Sequence, residues 1–203
     1  VTPGVLNPIA DPPAALQRPR GRALSVGCYL GTVLLTVLVL FPALDLPHRD
    51  LRVPLQYEGG DGLLMLAWTK TIIETGWYFH NPYLGAPGTA EFLDFPQSDV
   101  LNYAILKVFC LFASSAAVAV NLFFLAGFPL AALTAMFTLR RLGVSRPLGI
   151  VGGTLYALQP YHFVRGEMHM FLANYAMVPL AVLVAVALAA GVDLRLWGAG
   201  ASA

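Results

Sequence analysis

The chain has 203 residues, 58% of them hydrophobic and only 11% charged, with a formal net charge of +1. A soluble domain carries about 25% charged residues, so this composition excludes an ordinary soluble globular protein. The small net charge points to no partner class by itself, and no nucleic-acid partner is expected.

Residues 1–22 hold Pro3, Pro8, Pro12, Pro13 and Pro19 without apolar periodicity, which predicts an extended or disordered cytoplasmic tail. The chain opens on Val rather than Met, suggesting a GTG start or a piece of a longer protein. The first apolar stretch, 24–44, has no Asp, Glu, Lys or Arg and follows Arg18, Arg20 and Arg22. Its apolar core, ~20 residues, exceeds the 7–15 of a cleaved signal, and no clear small-x-small site follows. It is read as an uncleaved signal anchor, with a first transmembrane helix over 23–44.

The loop 45–115 comes next and carries Asp45, Asp50, Glu58, Asp61, Glu74, Glu91, Asp94 and Asp99. Within it, 63–75 has Leu64, Met65, Trp68, Ile72 and Ile73 at helical spacing, with Lys70 and Glu74 four apart. This predicts an amphipathic helix, too short and charged to span, lying in the membrane interface. Residues 101–114, with Lys107, read the same way. Between them 76–88 is rich in aromatic residues, Gly and Pro and is expected along the headgroup level.

Three further uncharged stretches follow at 116–139, 147–164 and 171–192. At ~1.5 Å per residue each can cross a hydrocarbon core of about 30 Å. Pro129, Pro160 and Pro179 fall inside or near the ends of these stretches and are read as packing kinks. Gly152-Gly153 allows close helix contact. The end, 193–203, closes on no element and is a cytoplasmic tail or a truncation point. The fold class is therefore an all-α membrane protein. It has four transmembrane helices, the last three a bundle over 116–192, and a long extracytoplasmic loop carrying two surface helices.

Orientation follows the basic residues. With Arg18, Arg20, Arg22, Arg140, Arg141, Arg146 and Arg195 inside, the cytoplasmic side is +5 and the outer side −4. Both termini are expected in the cytoplasm of a bacterial inner membrane, as a multi-pass protein. Cys28 and Cys110 fall in different regions and are read as inert buried thiols.

Three groups can carry chemistry. Asp61, in Gly59-Gly60-Asp61-Gly62, is either the cap of the helix behind it or a general base at the membrane face; both can hold for one residue. Asp94 and Asp99, five apart across Pro96, can bind a divalent cation or orient a donor headgroup. Such residues also serve as turn formers and caps. His162, Arg165 and His169 stand at i, i+3 and i+7 if helical, one cationic face suited to a phosphate headgroup or to interfacial anchoring. The sequence has no His-Glu-x-x-His spacing and no phosphate-cradling glycine loop. No metal ligand is assigned.

An anchor span, an acidic outer loop with two surface helices, then closely spaced spans resembles the C-type superfamily of membrane glycosyltransferases. The residues that carry the likeness are Gly60-Asp61-Gly62, Gly76-Trp77-Tyr78, Asn81 through Pro87, Asp94-Phe95-Pro96 and His162 through His169. They look like an uncharacterised bacterial branch and cover about 22–190. The resemblance implies transfer of a sugar from a polyprenyl-phosphate donor to an acceptor on the outer face. It makes Asp61 the catalytic base, with His162, Arg165 and His169 offsetting charge on the departing phosphate. Complete members have roughly twice as many spans, so the chain is expected to be the N-terminal part of such an enzyme or a shortened relative. The rival expectations are a non-catalytic accessory subunit among membrane-protein partners and a carrier of lipid-linked substrates. Membrane lipids and a lipid-linked sugar donor are the expected partners.

Overall fold

The computed structural model describes residues 22–56, 59–92 and 99–191. The terminal tails, Glu58 and Asp94 lie outside the described residues, as do the readings made of them. The chain is mostly helical, and three helical stretches are long and apolar enough to cross a membrane: Val26–Ala43, Ala116–Arg141 and Glu167–Ala189.

The first helix, α1 (Arg22–Ala43), divides its surface by residue type. Thr32, Thr36 and Leu40, four residues apart, are buried, whereas Val26, Leu30, Leu34, Leu38 and Phe41 are exposed. Leucine and valine outward with threonine inward is the reverse of a soluble helix and suits hydrocarbon solvent. The threonine hydroxyls satisfy themselves on the preceding turn: Thr32 Oγ1 donates to Cys28 O at 2.9 Å, and Thr36 Oγ1 to Thr32 O at 2.8 Å.

The loop helices follow as α2 (Gly62–Thr75) and α3 (Val100–Cys110), separated by a two-stranded antiparallel ribbon, β1 (His80–Asn81) and β2 (Ala90–Glu91). Helix α4 (Ala116–Arg141) is the centre of the structure: α1, α2, α3, α5 (Arg146–Ala157) and α8 (Val178–Ala189) all pack on it. Ser115 caps it, its Oγ accepting from Val118 N at 3.4 Å. Arg140 and Arg141 sit in its last turn, where the helix dipole favours cations. Glycines set the α4–α5 contact as expected. A Cβ on Gly153 would lie 2.7 Å from the Ala132 carbonyl, and one on Gly152 would lie 2.8 Å from Leu139 Cδ1.

The expected continuous span 147–164 is corrected: α5 stops at Ala157, and α6 (Pro160–Arg165) starts afresh behind Gln159. Pro160 has no N–H to extend the ladder, and its ring disfavours helical backbone at Gln159. The stretch 171–192 is broken too. A 3-10 turn, Glu167–His169, leads into α7 (Met170–Ala173), and the chain then unwinds at Asn174 before α8. Pro179 stands in the first turn of α8.

The two helices expected at 63–75 and 101–114 form, at Gly62–Thr75 and Val100–Cys110, but their apolar faces meet protein. Met65, Trp68 and Ile72 of α2 and Tyr103, Leu106 and Cys110 of α3 join Ala119, Val120 and Phe123 of α4 in one core. Tyr78, expected along the headgroups, is turned inward and stacks on Tyr103 with ring centroids 3.7 Å apart. Tyr103 meets Phe171 edge-on at 4.7 Å, so one aromatic cluster ties the loop to α7. Burial in this cluster pushes the Cys110 thiol up to about 11, which keeps it protonated and unreactive near neutral pH.

Irregular backbone at 51–56 is held by two side chains from elsewhere. Asn121 on α4 donates to Leu51 O (2.7 Å) and Val53 O (2.9 Å) and accepts from Leu55 N (2.9 Å). Glu167 Oε2 accepts from Gln56 N at 2.8 Å. Asn121→Ala strands three backbone groups at once. It should cost roughly 2–4 kcal/mol, read as a lowered midpoint of thermal unfolding in detergent.

Candidate functional site

The site is built from the loop before α2 and the turn after α6. Gly59 and Gly60 both take positive φ, +89° and +52°. Gly60 is also pressed against the turn: a Cβ there would lie 2.7 Å from His169 Cε1 and 2.8 Å from Met168 O. Only glycine meets both conditions. The contact is fixed by Asp61 N donating to Met168 O at 2.8 Å.

Asp61 occupies the N-cap position of α2, yet its carboxylate takes no hydrogen bond from the first turn. The side chain is 63% exposed, and Oδ2 lies 3.8 Å from His169 Nδ1. Asp61 is thus an open carboxylate beside an imidazole, a pairing that can accept a proton from an incoming hydroxyl. It is a cap by position only.

The cationic face expected of His162, Arg165 and His169 does not form as one helix face. Gly166, with φ +45° and ψ −147°, ends α6 directly after Arg165 and starts the 3-10 turn that carries His169. His162 points the other way. It is 1% exposed and stacks flat on Phe128 at 3.6 Å and 4°, with Nδ1 3.2 Å from Ala157 O. Gly127 makes room for it, since a Cβ there would stand 3.1 Å from His162 Nε2. His162 is therefore corrected from headgroup ligand to core residue, because stacking among aromatic rings outweighs its polar tip. Arg165 is half-buried, its guanidinium 5.5 Å from the centre of the Tyr161 ring. Of the three, the structure brings His169 to Asp61.

Asp99 stands at the N-cap of α3 without capping it. Its Oδ2 accepts from Asn102 Nδ2 at 2.8 Å, and Asn102 Oδ1 accepts from Asn174 Nδ2 at 2.6 Å. The line joins α3 to the break after α7, a structural use of the carboxylate. Its partner in the expected pair, Asp94, lies outside the described residues. Among the described residues, no group of three or more His, Cys, Asp or Glu side chains is arranged to hold a metal ion.

Two residues with larger structural roles were not singled out from the sequence. Glu167 is the sole acid between 116 and 192 and is 1% exposed. Asn121 is the sole amide in the first half of α4. A lone polar group in an apolar stretch must find partners, and that was the available signal.

Grooves open on the surface formed by the described residues, and two of them bear on function. One, about 620 Å³, is lined by Arg49, Val53, Leu55, Gln56, Phe163 and Met168, among others. Met168 is the residue whose carbonyl holds Asp61, so this groove adjoins the Asp61 loop. The other, about 550 Å³, lies along α2.

No family model matches the chain, and no curated protein or solved structure does. Function must be argued from the geometry. Gly60→Ala should separate the Asp61 loop from the His169 turn. The strain of a side chain at positive φ alone costs about 1–2 kcal/mol, and the contact at 2.7 Å adds to it. The expected result is a lower unfolding midpoint with faster proteolytic nicking of the loop before α2.

Proposed function

We propose that this chain works in membrane glycosyl transfer, moving a sugar from a polyprenyl-phosphate donor to an acceptor hydroxyl at the outer face of a bacterial inner membrane. The observation that carries the reading is Asp61. A carboxylate at a helix start normally turns back onto the helix N–H groups. This one stays open, is seated by a glycine contact and by the Asp61 N–H donating to Met168 O, and has an imidazole 3.8 Å away.

In this mechanism Asp61 takes the proton of the acceptor hydroxyl while the acceptor oxygen bonds to the anomeric carbon and the phosphate leaves. His169 beside it offers a ring N–H to negative charge that develops in the site. Arg165, at the end of α6 and across the Gly166 break from His169, supplies fork-shaped donors for the departing phosphate in this reading.

The layout that goes with this reading has both ends in the cytoplasm and 45–115 outside. It includes a fourth crossing made by α5 and α6 together. Eighteen helical residues span roughly 27 Å at ~1.5 Å each, close to a hydrocarbon core of about 30 Å. The return of the chain to the loop, through Glu167 to Gln56 and Met168 to Asp61, supports that crossing. A cysteine put at Gly88 should react with an impermeant maleimide in intact cells. Labelling only after permeabilisation would reverse the orientation.

Asp61→Asn removes the base at nearly constant size. Transfer from a lipid-linked donor should fall about 10²-fold or more, with donor binding kept. Arg165→Ala should instead weaken donor binding. Near-normal turnover in Asp61→Asn would end the catalytic reading and favour a non-catalytic subunit.

A further inference from the structure

The second groove lies on a stripe of α2 that the proposed reaction does not use. Ala67, Lys70, Thr71 and Glu74 stand at i, i+3, i+4 and i+7, and with Asn81, Tyr83 and Leu84 they line a space of about 550 Å³. Residues at that spacing share one helix face. The volume is in the range of small-molecule sites.

The wall opposite α2 is held rigid. Asn81 is buried, and both ends of its amide are engaged: Nδ2 donates to Thr71 Oγ1 at 2.6 Å and Oδ1 accepts from Tyr83 N at 2.8 Å. Thr71 Oγ1 in turn donates to Ala67 O at 3.0 Å. These bonds fix the backbone that presents Tyr83, whose side chain is nevertheless left open, the residue being 76% exposed. A large ring held out from a pinned turn is a preformed contact surface.

The chemistry around the ring is mixed and balanced. Lys70 Nζ, 3.7 Å from Glu74 Oε1, supplies up to three donors, and the carboxylate only accepts. One positive and one negative charge do not select an anion. Together with an exposed ring and the apolar Leu84, they match a ligand dense in hydroxyl groups with a C–H face to lay on an aromatic ring. That ligand is a saccharide.

We propose that this groove binds a sugar unit of the glycan acceptor, away from the reacting end. The proposal rests on the glycosyl-transfer reading above. Lys70 and Glu74 follow Asp61 by nine and thirteen residues, or roughly 14–20 Å along the helix at ~1.5 Å per residue. At ~3.6 residues per turn, nine residues carry Lys70 about half a turn around α2 from Asp61, so an acceptor that reaches both wraps obliquely over the helix, from its reactive hydroxyl at Asp61 to an earlier unit on Tyr83.

The test uses the full chain in lipid nanodiscs and saturation-transfer NMR with linear hexasaccharides of glucose, mannose and arabinose. At least one should bind saturably. Tyr83→Ala and Glu74→Gln should each weaken it tenfold or more, while Tyr83→Phe, which keeps the ring, should restore most of the binding. These side chains are exposed, and an unchanged unfolding midpoint will verify that the variants fold. Absence of saturable binding by all three sugars overturns the proposal, as does wild-type binding by Tyr83→Ala. If a Tyr83→Trp reporter is quenched by bromolipid and unmoved by sugar, the ring is a membrane anchor and the proposal falls. Saccharide binding with transfer unaffected by Asp61→Asn would keep the groove and remove the base. Transfer lost in Asp61→Asn with no saccharide binding would do the reverse.

Discussion

Six residues of irregular backbone, 51–56, run against an apolar helical bundle, and everything near the candidate site depends on how their polar groups are satisfied. Backbone amides cannot be left unpaired in such surroundings, because each orphan costs kilocalories. Asn121 answers with both N–H donors, to Leu51 O and Val53 O, and with its oxygen accepting from Leu55 N. Glu167 then takes the next N–H, that of Gln56. One side chain comes from α4 and the other from the turn after α6, so the segment also ties those elements to each other.

The consequence is positional. With Gln56 held by Glu167, Gly59 lies over Met168, whose Sδ is 3.6 Å from where a Cβ would stand. Asp61 then bonds to the Met168 carbonyl. Glu167, Met168 and His169 are consecutive, so one short 3-10 turn secures the loop at two points and contributes the imidazole next to Asp61. Burying a carboxylate for this purpose is expensive. The Glu167 carboxyl oxygen supplies the acceptor that an otherwise orphaned amide requires.

Much of the helical frame was legible in the sequence. Runs without Asp, Glu, Lys or Arg located α1 and α4, and apolar spacing at 64, 65, 68 and 72 located α2. The breaks were less so. Pro160 and Pro179 were recognised as kinks, but whether proline bends or ends a helix is decided by what the freed carbonyls meet in three dimensions. Ala157 O meets His162 Nδ1 and the Tyr175 hydroxyl, 3.2 and 3.1 Å away. His162 itself was misread for the same reason. Helical spacing placed it with Arg165 and His169, yet Gly127 on a distant helix opens the slot beside Phe128 that it fills. Spacing along one chain segment cannot reveal a slot made by another. Asp61 was legible by type and place, and its failure to cap was not.

That failure is the sharpest clue in the fold. Asp is among the best N-caps, and a cap of this kind contributes about 1 kcal/mol. At Asp61 the residue is in position, the helix begins directly behind it, and the stabilisation is not taken. Asp99 repeats the pattern at α3, but there the carboxylate is redirected to Asn102, and the Asn102–Asn174 bond carries the link across to α7. Among the described residues Asp61 has no such structural employment. Its contact is a half-buried imidazole at 3.8 Å, too loose to anchor anything. A sequence that agrees with its fold at most levels and departs from a local rule at one open, well-seated carboxylate is departing where function is expected.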